Sequence, residues 1–359
     1  MRRNAVLAAV TALACGAGVV AATPALAAGW RNIDGKAALK FDGGLDRVDF
    51  ASKGVGWAIG SSGGLIGGQA RIVRWTGTAW AAQASPVAFT PTDIAAASSK
   101  RAWAIGFGMS GAVALYWNGA KWARVAYPGI GVPSQVAAAP DGAAYSVSGI
   151  NASAGGVSKV LRWTGSAWAD AKVSLPPSSA VTAVDVRSAK DVWLAGTTTA
   201  NGTAVTGFLM HYNGSSWKRI ALPGSMGTTA YQAVLHRVVA TSATTVYVLR
   251  AAQNAQVTNA VLRYDGKAWK TAAIPLNAVG IGMAADGKGG VVVLPVTTGD
   301  RTRYLHFNGT AWTSLNGPAR VGASVQAADV DQRPGTTGIV SVGAAAKSGK
   351  KTPFIELFG

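Results

Sequence analysis

This sequence of 359 residues predicts an all-β fold made of seven copies of one four-stranded antiparallel unit, and three observations support the prediction. A heptapeptide ending in Trp recurs six times, and its closing tryptophans are 42, 46, 49, 52 and 43 residues apart. The two ends of the chain supply the two halves of a seventh copy. Repeats of this length are typical of β-propeller blades, so the predicted architecture is a seven-bladed β-propeller.

Each heptapeptide has the order polar, aromatic, Asn/Asp/Thr, Gly, two small or polar residues, and Trp. Asn-Gly, Asp-Gly or Thr-Gly between two apolar runs is typical of a tight hairpin turn, in which glycine tolerates a positive φ. Each copy therefore predicts a turn that joins two adjacent strands. The six copies span Arg74–Trp80, Tyr116–Trp122, Arg162–Trp168, His211–Trp217, Arg263–Trp269 and His306–Trp312.

A second apolar segment precedes each heptapeptide and predicts an earlier strand of the same blade. Its aromatic position is held by Trp57, Trp103, Tyr145, Trp193, Tyr247, Val292 and Val340, the last of these in the seventh copy. A residue that recurs in every repeat usually packs between repeats. We therefore expect these aromatic residues and the closing tryptophans to make inter-blade contacts rather than sugar-stacking platforms.

The chain ends predict how the ring closes. The segment Phe354–Gly359 aligns with Tyr304–Gly309 and stops at the turn glycine, while Trp30 lies where Trp312 lies relative to Gly309. The N-terminal strand is therefore expected to complete the last blade, and such a seam removes the free edges that an open array would expose.

These alignments predict a single propeller domain over residues 28–359. The blade limits are approximate, and the last blade is split between the two ends of the chain. They are 41–84, 89–128, 132–177, 179–224, 229–276, 277–318, and 322–359 plus 28–36.

The first 27 residues predict a secretory signal peptide, and hence a secreted protein. Arg2 and Arg3 precede an uncharged Ala/Val/Leu run that ends in the small-x-small triplet Ala25–Ala27. Cleavage after Ala27 also gives the start that blade closure requires. Twin-arginine export, lipid attachment at Cys15 and an uncleaved membrane anchor are the alternatives.

Composition limits the function classes. The chain holds 33 basic and 15 acidic residues, so loss of Arg2 and Arg3 leaves 31 against 15, a formal charge of +16. This charge favours polyanions such as wall polymers, acidic glycans or nucleic acid, or it only confers solubility. Cleavage would also remove the single Cys, which excludes disulfides and thiolate metal sites from the mature chain.

The repeats resemble those of kelch-type β-propellers, in particular secreted bacterial forms. The nearest matches are Asp191–Gly196, which reads Asp-Val-Trp-Leu-Ala-Gly, and His306–Trp312, which reads His-Phe-Asn-Gly-Thr-Ala-Trp. Strict kelch blades carry paired glycines after the second strand, whereas this chain has single glycines such as Gly60 and Gly106. The resemblance implies a propeller that works as a binding or scaffolding module.

Several propeller enzymes can be compared with the sequence. A galactose-oxidase-like copper radical site needs a cysteine-modified tyrosine, which a chain cleaved after Ala27 cannot form. The Ser-x-Asp-x-Gly-x-Thr-Trp box of sialidases is absent, and Glu356 is the only glutamate. His211 and His306 occupy a repeat position held elsewhere by Arg74 or Tyr116, so we interpret them as strand residues rather than metal ligands.

One side chain per blade is expected to converge on the central channel. Counting back ten residues from the aromatic position gives Arg47, Asp93, Gln135, Ala183 and Arg237, and Asp49 and Asp185 lie two residues further along their strands. Mixed charge at a concave mouth is typical of a site for a polar ligand. The alternative is structural pairing of Arg with Asp across blades. The candidate ligand-binding residues are Arg47, Asp49, Asp93, Gln135, Asp185 and Arg237.

The functional prediction is an extracellular, monomeric, non-catalytic module that binds a glycan, a cell-wall polymer or a protein. It needs no cofactor or metal, binds no specific nucleic acid and has no transmembrane segment after cleavage. The first alternative is a glycan hydrolase or lyase that uses Asp carboxylates such as Asp49, Asp93 or Asp185. The second is adsorption of polyanions through basic residues including Lys347, Lys350 and Lys351.

Overall fold

The computed structural model describes residues 29–34, 39–63, 68–150, 157–200, 202–252 and 256–359. The predicted signal peptide, Cys15 and Ala28 lie outside these ranges. Within them the chain forms strands, with a 3-10 turn at Pro275–Asn277. No helix in the described part of the chain has the length and apolar character needed to span a membrane.

The strands form seven antiparallel sheets, as the repeats predict, and consecutive strands pair within each sheet. The first three blades hold β2 to β13. Blade 1 comprises β2 (Gly43–Ser52), β3 (Val55–Ser62), β4 (Gln69–Trp75) and β5 (Trp80–Gln83); blade 2 comprises β6 (Thr90–Ser98), β7 (Arg101–Gly108), β8 (Gly111–Trp117) and β9 (Trp122–Val125); blade 3 comprises β10 (Val132–Ala138), β11 (Ala144–Ile150), β12 (Val157–Trp163) and β13 (Trp168–Asp170).

The remaining blades hold β14 to β29 together with the N-terminal strand β1. Blade 4 comprises β14 (Ser179–Ser188), β15 (Asp191–Ala200), β16 (Ala204–Tyr212), β17 (Trp217–Thr228) and β18 (Tyr231–Gln232); blade 5 comprises β19 (Val234–Ala240), β20 (Val246–Ala251), β21 (Ala260–Tyr264) and β22 (Trp269–Ala273); blade 6 comprises β23 (Gly280–Ala285), β24 (Val291–Pro295), β25 (Arg303–Phe307) and β26 (Trp312–Asn316); blade 7 comprises β27 (Ser324–Gln332), β28 (Ile339–Lys347), β29 (Lys350–Phe358) and β1 (Trp30–Asn32).

The two faces of the molecule carry different connections. We call the one where the innermost strands begin the start face; it carries the links between blades and the links from second to third strands. The opposite one is the turn face, which carries the turns from first to second strands and the heptapeptide turns from third to fourth strands.

The N-terminal strand closes the ring, as predicted. It pairs antiparallel with β29 in the register Trp30 to Phe358, Arg31 to Leu357 and Asn32 to Glu356. The Trp30 ring also stacks on Tyr304 of blade 6, with centroids 3.7 Å apart and planes 14° from parallel. The seam is therefore held by backbone pairing and by an aromatic contact to the neighbouring blade.

A buried carboxylate reinforces this seam. Glu356 is fully buried, and its Oε2 accepts hydrogen bonds from the hydroxyls of Thr302 and Tyr304, each at 2.7 Å. Its Oε1 is paired with Arg320, which also donates to Asn32 of β1. The only glutamate of the sequence therefore links blades 6 and 7 to the N-terminal strand.

Blade 4 departs from the four-stranded prediction. Strand β17 has 12 residues and extends beyond the others of its blade on the start face, where Gly227 allows the chain to reverse and β18 to pair with it. Gly227 has a φ of +92°, and a Cβ there would lie 2.2 Å from the Tyr231 carbonyl oxygen. The sheet consequently runs to Gln232, past the expected limit of 224.

The core lies between neighbouring blades, which agrees with the interpretation of the repeated aromatic residues. Trp57 and Trp103 are fully buried. Trp57 of blade 1 packs among Ile94 and Leu115 of blade 2, and the Trp103 ring of blade 2 meets that of Trp168 in blade 3 edge to face. The aromatic residues of blades 1 and 2 are therefore each buried against the next blade.

Removal of the Trp30 ring tests the seam. We expect Trp30→Ala to lower the free energy of unfolding by about 2–4 kcal/mol, because it removes a stacked, half-buried ring. Amide hydrogen exchange along β29 should rise as the edge strand frays. The matched control is Trp269→Ala, a half-buried closing Trp away from the seam, which should leave exchange in β29 unchanged. Equal exchange in both variants would contradict the proposed closure.

Candidate functional site

Every innermost strand has an irregularity at the same point, where its pairing with the second strand skips one residue. A β-bulge of this kind re-aims side chains and increases local twist. The residue that resumes pairing after each bulge is at the same level of all seven blades. We call these residues the upper tier: Arg47, Asp93, Gln135, Ala183, Arg237, Gly282 and Asp329.

A second tier lies two residues further along each innermost strand, toward the turn face. Its members pair directly with the repeated aromatic position, for example Asp49 with Trp57 and Asp331 with Val340. We call these residues the lower tier: Asp49, Ala95, Ala137, Asp185, Val239, Ala284 and Asp331.

Side-chain oxygens of the upper tier accept hydrogen bonds from main-chain amides in the innermost strand of the following blade. An innermost strand has a neighbour on one side only, so its other edge presents unpaired amides to the channel. Asp93 Oδ2 accepts from the Val136 amide at 2.9 Å, and Gln135 Oε1 accepts from the Val184 amide at 3.2 Å. Asp329 repeats this contact across the seam of the ring, at 3.2 Å from the amide of Val48.

The lower-tier carboxylates do the same one level deeper. Asp185 Oδ2 accepts from the Ala240 amide at 2.7 Å, and Asp331 Oδ2 accepts from the Phe50 amide at 2.8 Å. Asp49 Oδ2 accepts from the Ala96 amide. Six side-chain acceptors in two tiers therefore join consecutive blades around the channel.

Long side chains bridge the two places where the upper tier is small. Gln135 reaches past Ala183 and donates from Nε2 to the His236 carbonyl at 3.1 Å. Arg237 reaches past Gly282 and donates from Nη2 to Asp329 Oδ1 at 3.0 Å. Arg47 lies 3.7 Å from Asp93, measured from Nε to Oδ1. Two arginines and two aspartates are thus paired inside the ring.

Above the upper tier, a cavity of about 730 Å³ opens on the start face. Its wall includes bulged residues of several innermost strands together with charged groups from blades 1 and 7. The residues that give it its chemical character are Asp46, Arg47, His236, Ile281, Gln326 and Lys351. The channel mouth is therefore a bowl with charged and polar groups in its wall, among them Arg47 of the upper tier.

Desolvation within the ring shifts its acid–base equilibria. It raises the pKa of Asp93 to about 6 despite the opposing charges of Arg47 and Arg237, and it raises the pKa of Asp185 to about 6. The pKa of Asp331 rises to about 8, and that of Asp49 is also raised, in both cases first through burial. At neutral pH part of the lower tier is accordingly protonated.

The mouth holds one histidine, which stays neutral. Burial lowers the pKa of His236 to about 4, and the positive charges of Arg237 and Arg47 add to the effect. The pKa of Asp46 is raised by burial, although Arg47 and Lys351 oppose the shift. His236 can therefore offer a polar ligand an uncharged imidazole at physiological pH.

The structure places the predicted residues as follows. Arg47, Asp93, Gln135 and Arg237 share the upper tier, whereas Asp49 and Asp185 lie in the lower tier, below the mouth. Their side chains pair with one another or with main-chain amides of neighbouring blades. These contacts are of the kind expected from the alternative interpretation, in which these residues hold the blades together.

Four residues of the site were missed by the sequence reasoning. In blade 7 the first hairpin is one residue longer, since Asp331 pairs with Val340 nine positions away whereas Asp49 pairs with Trp57 eight away. Counting back ten from Val340 therefore lands one residue short of Asp329. The same extra residue displaces Asp331 from the count. Asp46 and His236 are the bulged residues directly before Arg47 and Arg237, and strand alternation alone does not predict that they line the channel mouth.

The other histidines take structural positions. His211 stacks on Trp193, with centroids 3.8 Å apart and planes 9° from parallel, and its Nε2 lies 3.0 Å from Asp191 Oδ1. His306 Nε2 lies 2.8 Å from Asp286 Oδ2. In the part of the chain that the structure describes, no group of three or more His, Cys, Asp or Glu side chains is arranged to hold a metal ion.

Comparison with solved structures gives the same fold. No family profile and no curated protein sequence match this chain. The chain is similar to YCF48 bound to D1 peptide, with a TM-score of 0.56 and 13% identity over 92% of this chain and 94% of that one. An ulvan lyase of polysaccharide lyase family PL25 gives a TM-score of 0.59 and 10% identity over 90% and 95% of the chains.

A third similar structure is the six-bladed fungal lectin from Aleuria aurantia, described with a fucose recognition mode. Its TM-score is 0.51, with 13% identity over 77% of this chain and 96% of the lectin. At such identities the likeness shows the propeller fold alone.

The raised carboxyl pKa values predict how stability depends on pH. Because a raised pKa means that the folded state binds the proton more tightly than the unfolded chain, these groups stabilise the fold at low pH. Their contribution is lost as the pH rises from about 4 to about 8, the window between the ordinary Asp pKa and that of Asp331. The lowered pKa of His236 acts in the opposite sense up to about pH 6.5, so we expect the net fall in the free energy of unfolding between about pH 6.5 and 8.

The variant Asp331→Asn measures how much one of these carboxyl groups contributes to the pH dependence. The amide oxygen can still accept from Phe50, so the variant should flatten the curve between pH 6 and 8 and be more stable than the wild type at pH 8. Asp300→Asn, which removes an exposed carboxylate, is the control and should leave the curve parallel to that of the wild type. Urea unfolding at pH 5, 6.5 and 8 measures both. A curve for Asp331→Asn that stays parallel would contradict the assignment.

The buried pair Arg237–Asp329 gives a separate prediction. Arg237→Met leaves an unpaired carboxylate in the ring and should cost about 3–5 kcal/mol of unfolding free energy. The double variant Arg237→Met/Asp329→Asn should recover most of that loss, since the remaining group is neutral and can still accept from Val48. Additive losses in a double-mutant cycle would show that the two side chains are not coupled.

Proposed function

We propose that this protein is a secreted, kelch-like, non-catalytic binding module whose ligand site is the start face, comprising the channel mouth and the loops around it. The favoured ligand is a protein segment, with a glycan as the alternative. The proposal rests on one observation, namely the distribution of exposed apolar side chains.

All seven large apolar side chains that are exposed in the described residues lie on the start face. They occupy links between blades, links between second and third strands, or the first residue of a strand that begins there. They are Met109, Val132, Val157, Tyr231, Leu276, Val296 and Val321. Apolar groups around a polar bowl are typical of a surface that binds a partner.

Leu276 is the strongest of these positions. It is 91% exposed and takes a left-handed backbone conformation, with φ of +57°, that L-residues adopt only at a cost. The buried Asn259 holds this turn through two hydrogen bonds. Its side-chain Nδ2 donates to the main-chain carbonyl of Asn277 at 2.8 Å, and its main-chain N–H donates to Oδ1 of Asn277 at 2.9 Å. The structure thus holds an apolar side chain out toward solvent in a fixed position.

The enzyme alternative has less support. Asp49, Asp93 and Asp185 are the carboxyls that it requires, and each accepts a main-chain amide from the following blade. These residues are therefore committed to holding the ring. Among similar folds, one structure is described as bound to a peptide and another as recognising fucose, which agrees with a binding role for the architecture.

Two variants locate the ligand site. We expect Met109→Ser/Leu276→Ser/Val321→Ser to lose binding to protein partners at least tenfold, whereas Asp46→Asn/His236→Gln/Lys351→Gln should lose glycan binding if the bowl holds a sugar. Binding is measured on a glycan array and by cross-linking to extracellular proteins of the producing cells. The control, Thr78→Ser/Ala120→Ser/Thr310→Ser on the turn face, should bind as the wild type does. Ligand binding that survives both start-face variants would overturn the proposal.

Secretion has its own test. Mass spectrometry of protein from the culture medium should find an N-terminus at Ala28, and a substitution at Ala27 such as Ala27→Gln should impair processing. Retention of the full-length chain in the cell would contradict export.

A further inference from the structure

The turn face carries a set of lysines around the channel exit. Turns from the first to the second strand are the connections nearest to the channel on this face. In four blades that turn carries an exposed lysine: Lys53, Lys100, Lys190 and Lys288. Arg333 lies in the same turn of blade 7, and Lys121 and Lys267 lie further out in the heptapeptide turns.

Neighbouring blades hold three of these lysine-bearing turns in place. The carbonyl of Lys53 accepts hydrogen bonds from Arg333 of blade 7. The carbonyl of Ser99, next to Lys100, accepts from Arg74 of blade 1. The amide of Ala189, next to Lys190, donates to Asp141 of blade 3 at 2.7 Å. The backbones that carry the ammonium groups are therefore fixed relative to one another.

Two lysine stems are also packed. The side chain of Lys100 lies over Gly119 and that of Lys190 lies over Gly214, the glycines of the heptapeptide turns in their own blades. A Cβ at Gly214 would come within 2.8 Å of the Lys190 stem. The apolar stems thus rest on the turns while the charged ends remain in water.

The acids on this face bond to internal donors and not to the lysines. Their oxygens are occupied by internal donors: Asp141 by two amides, Asp191 by Trp193, His211 and Arg187, Asp265 by two amides of its own turn, and Asp286 by two amides and His306. Within the described ranges none of Lys53, Lys100, Lys190 and Lys288 takes part in an ion pair. Their charges are free for an external anion.

We propose that this lysine ring is a docking surface for a flexible, phosphate-bearing polymer. An ammonium group is a compact charge with freely rotating donors, and lysine binds phosphate as a point charge without a fixed geometry. A flexible chain can follow cations arranged in a circle, while a rigid duplex presents its phosphates along a straight helix. This role goes beyond the proposed function, because it uses the opposite face.

Long-chain inorganic polyphosphate is the probe, with polygalacturonate, double-stranded DNA and neutral dextran as comparison polymers. If four lysines each displace a counterion, the affinity of the wild-type protein should fall on the order of 10²-fold between 50 and 200 mM salt. The variant Lys53→Gln/Lys100→Gln/Lys190→Gln/Lys288→Gln should lose most of this binding, and its log–log salt slope should be smaller by about 3. Fluorescence anisotropy across a salt series measures both quantities.

The matched control removes the same charge from the start face, outside the channel mouth: Lys40→Gln/Lys172→Gln/Lys347→Gln/Lys350→Gln. It should keep the wild-type affinity and slope, and all proteins should unfold at the same temperature because every substituted lysine is exposed. Equal loss in both variants would show a response to net charge alone and overturn the site. Stronger binding of DNA or polygalacturonate than of polyphosphate would overturn the assigned polymer chemistry. Neither result tests ligand binding at the start face, so either proposal can be contradicted without affecting the other.

Discussion

Unpaired strand edges are the constraint on which this structure depends. A ring of radial sheets has one edge at each innermost strand and a gap where the chain ends meet. The gap is closed by β1, which pairs with β29 and stacks Trp30 on Tyr304. The inner edges of blades 1 to 5 donate main-chain amides to side-chain oxygens of the preceding blade, as the amide of Val136 does to Asp93. Both devices remove free amides. The side-chain oxygens and the contact of Trp30 with Tyr304 also join blades that share no sheet.

The fold could be predicted because its signals repeat. A turn glycine and a closing Trp recur in six heptapeptides, so an ambiguity in one copy is resolved by the others, and the split blade follows from alignment of the chain ends. Features that occur once had no such support. The extension of β17 depends on Gly227, and the network around Glu356 joins residues about 300 positions apart in sequence, so neither has a local pattern.

The candidate site was predictable in position and only partly in role. A fixed count from the aromatic position identified the upper tier in five blades, because their first hairpins have a common length. One extra residue in the first hairpin of blade 7 concealed both Asp329 and Asp331, because it shifts each of them by one position relative to Val340. The contacts of these side chains depend on what the next blade offers, as the amide of Ala240 does for Asp185. A sequence read one blade at a time does not contain that information.

The bridges across Ala183 and Gly282 have a consequence for how such a ring can evolve. Gln135 and Arg237 each pass over a blade whose upper-tier residue is Ala or Gly. Gln135 bonds to the main-chain carbonyl of His236, whereas Arg237 pairs with the side chain of Asp329, so the residue of blade 5 is matched to that of blade 7. The repeats look alike in sequence and yet are not interchangeable. Duplication, loss or exchange of a single blade would set Arg237 against the wrong partner, and the number and order of blades are thereby locked together.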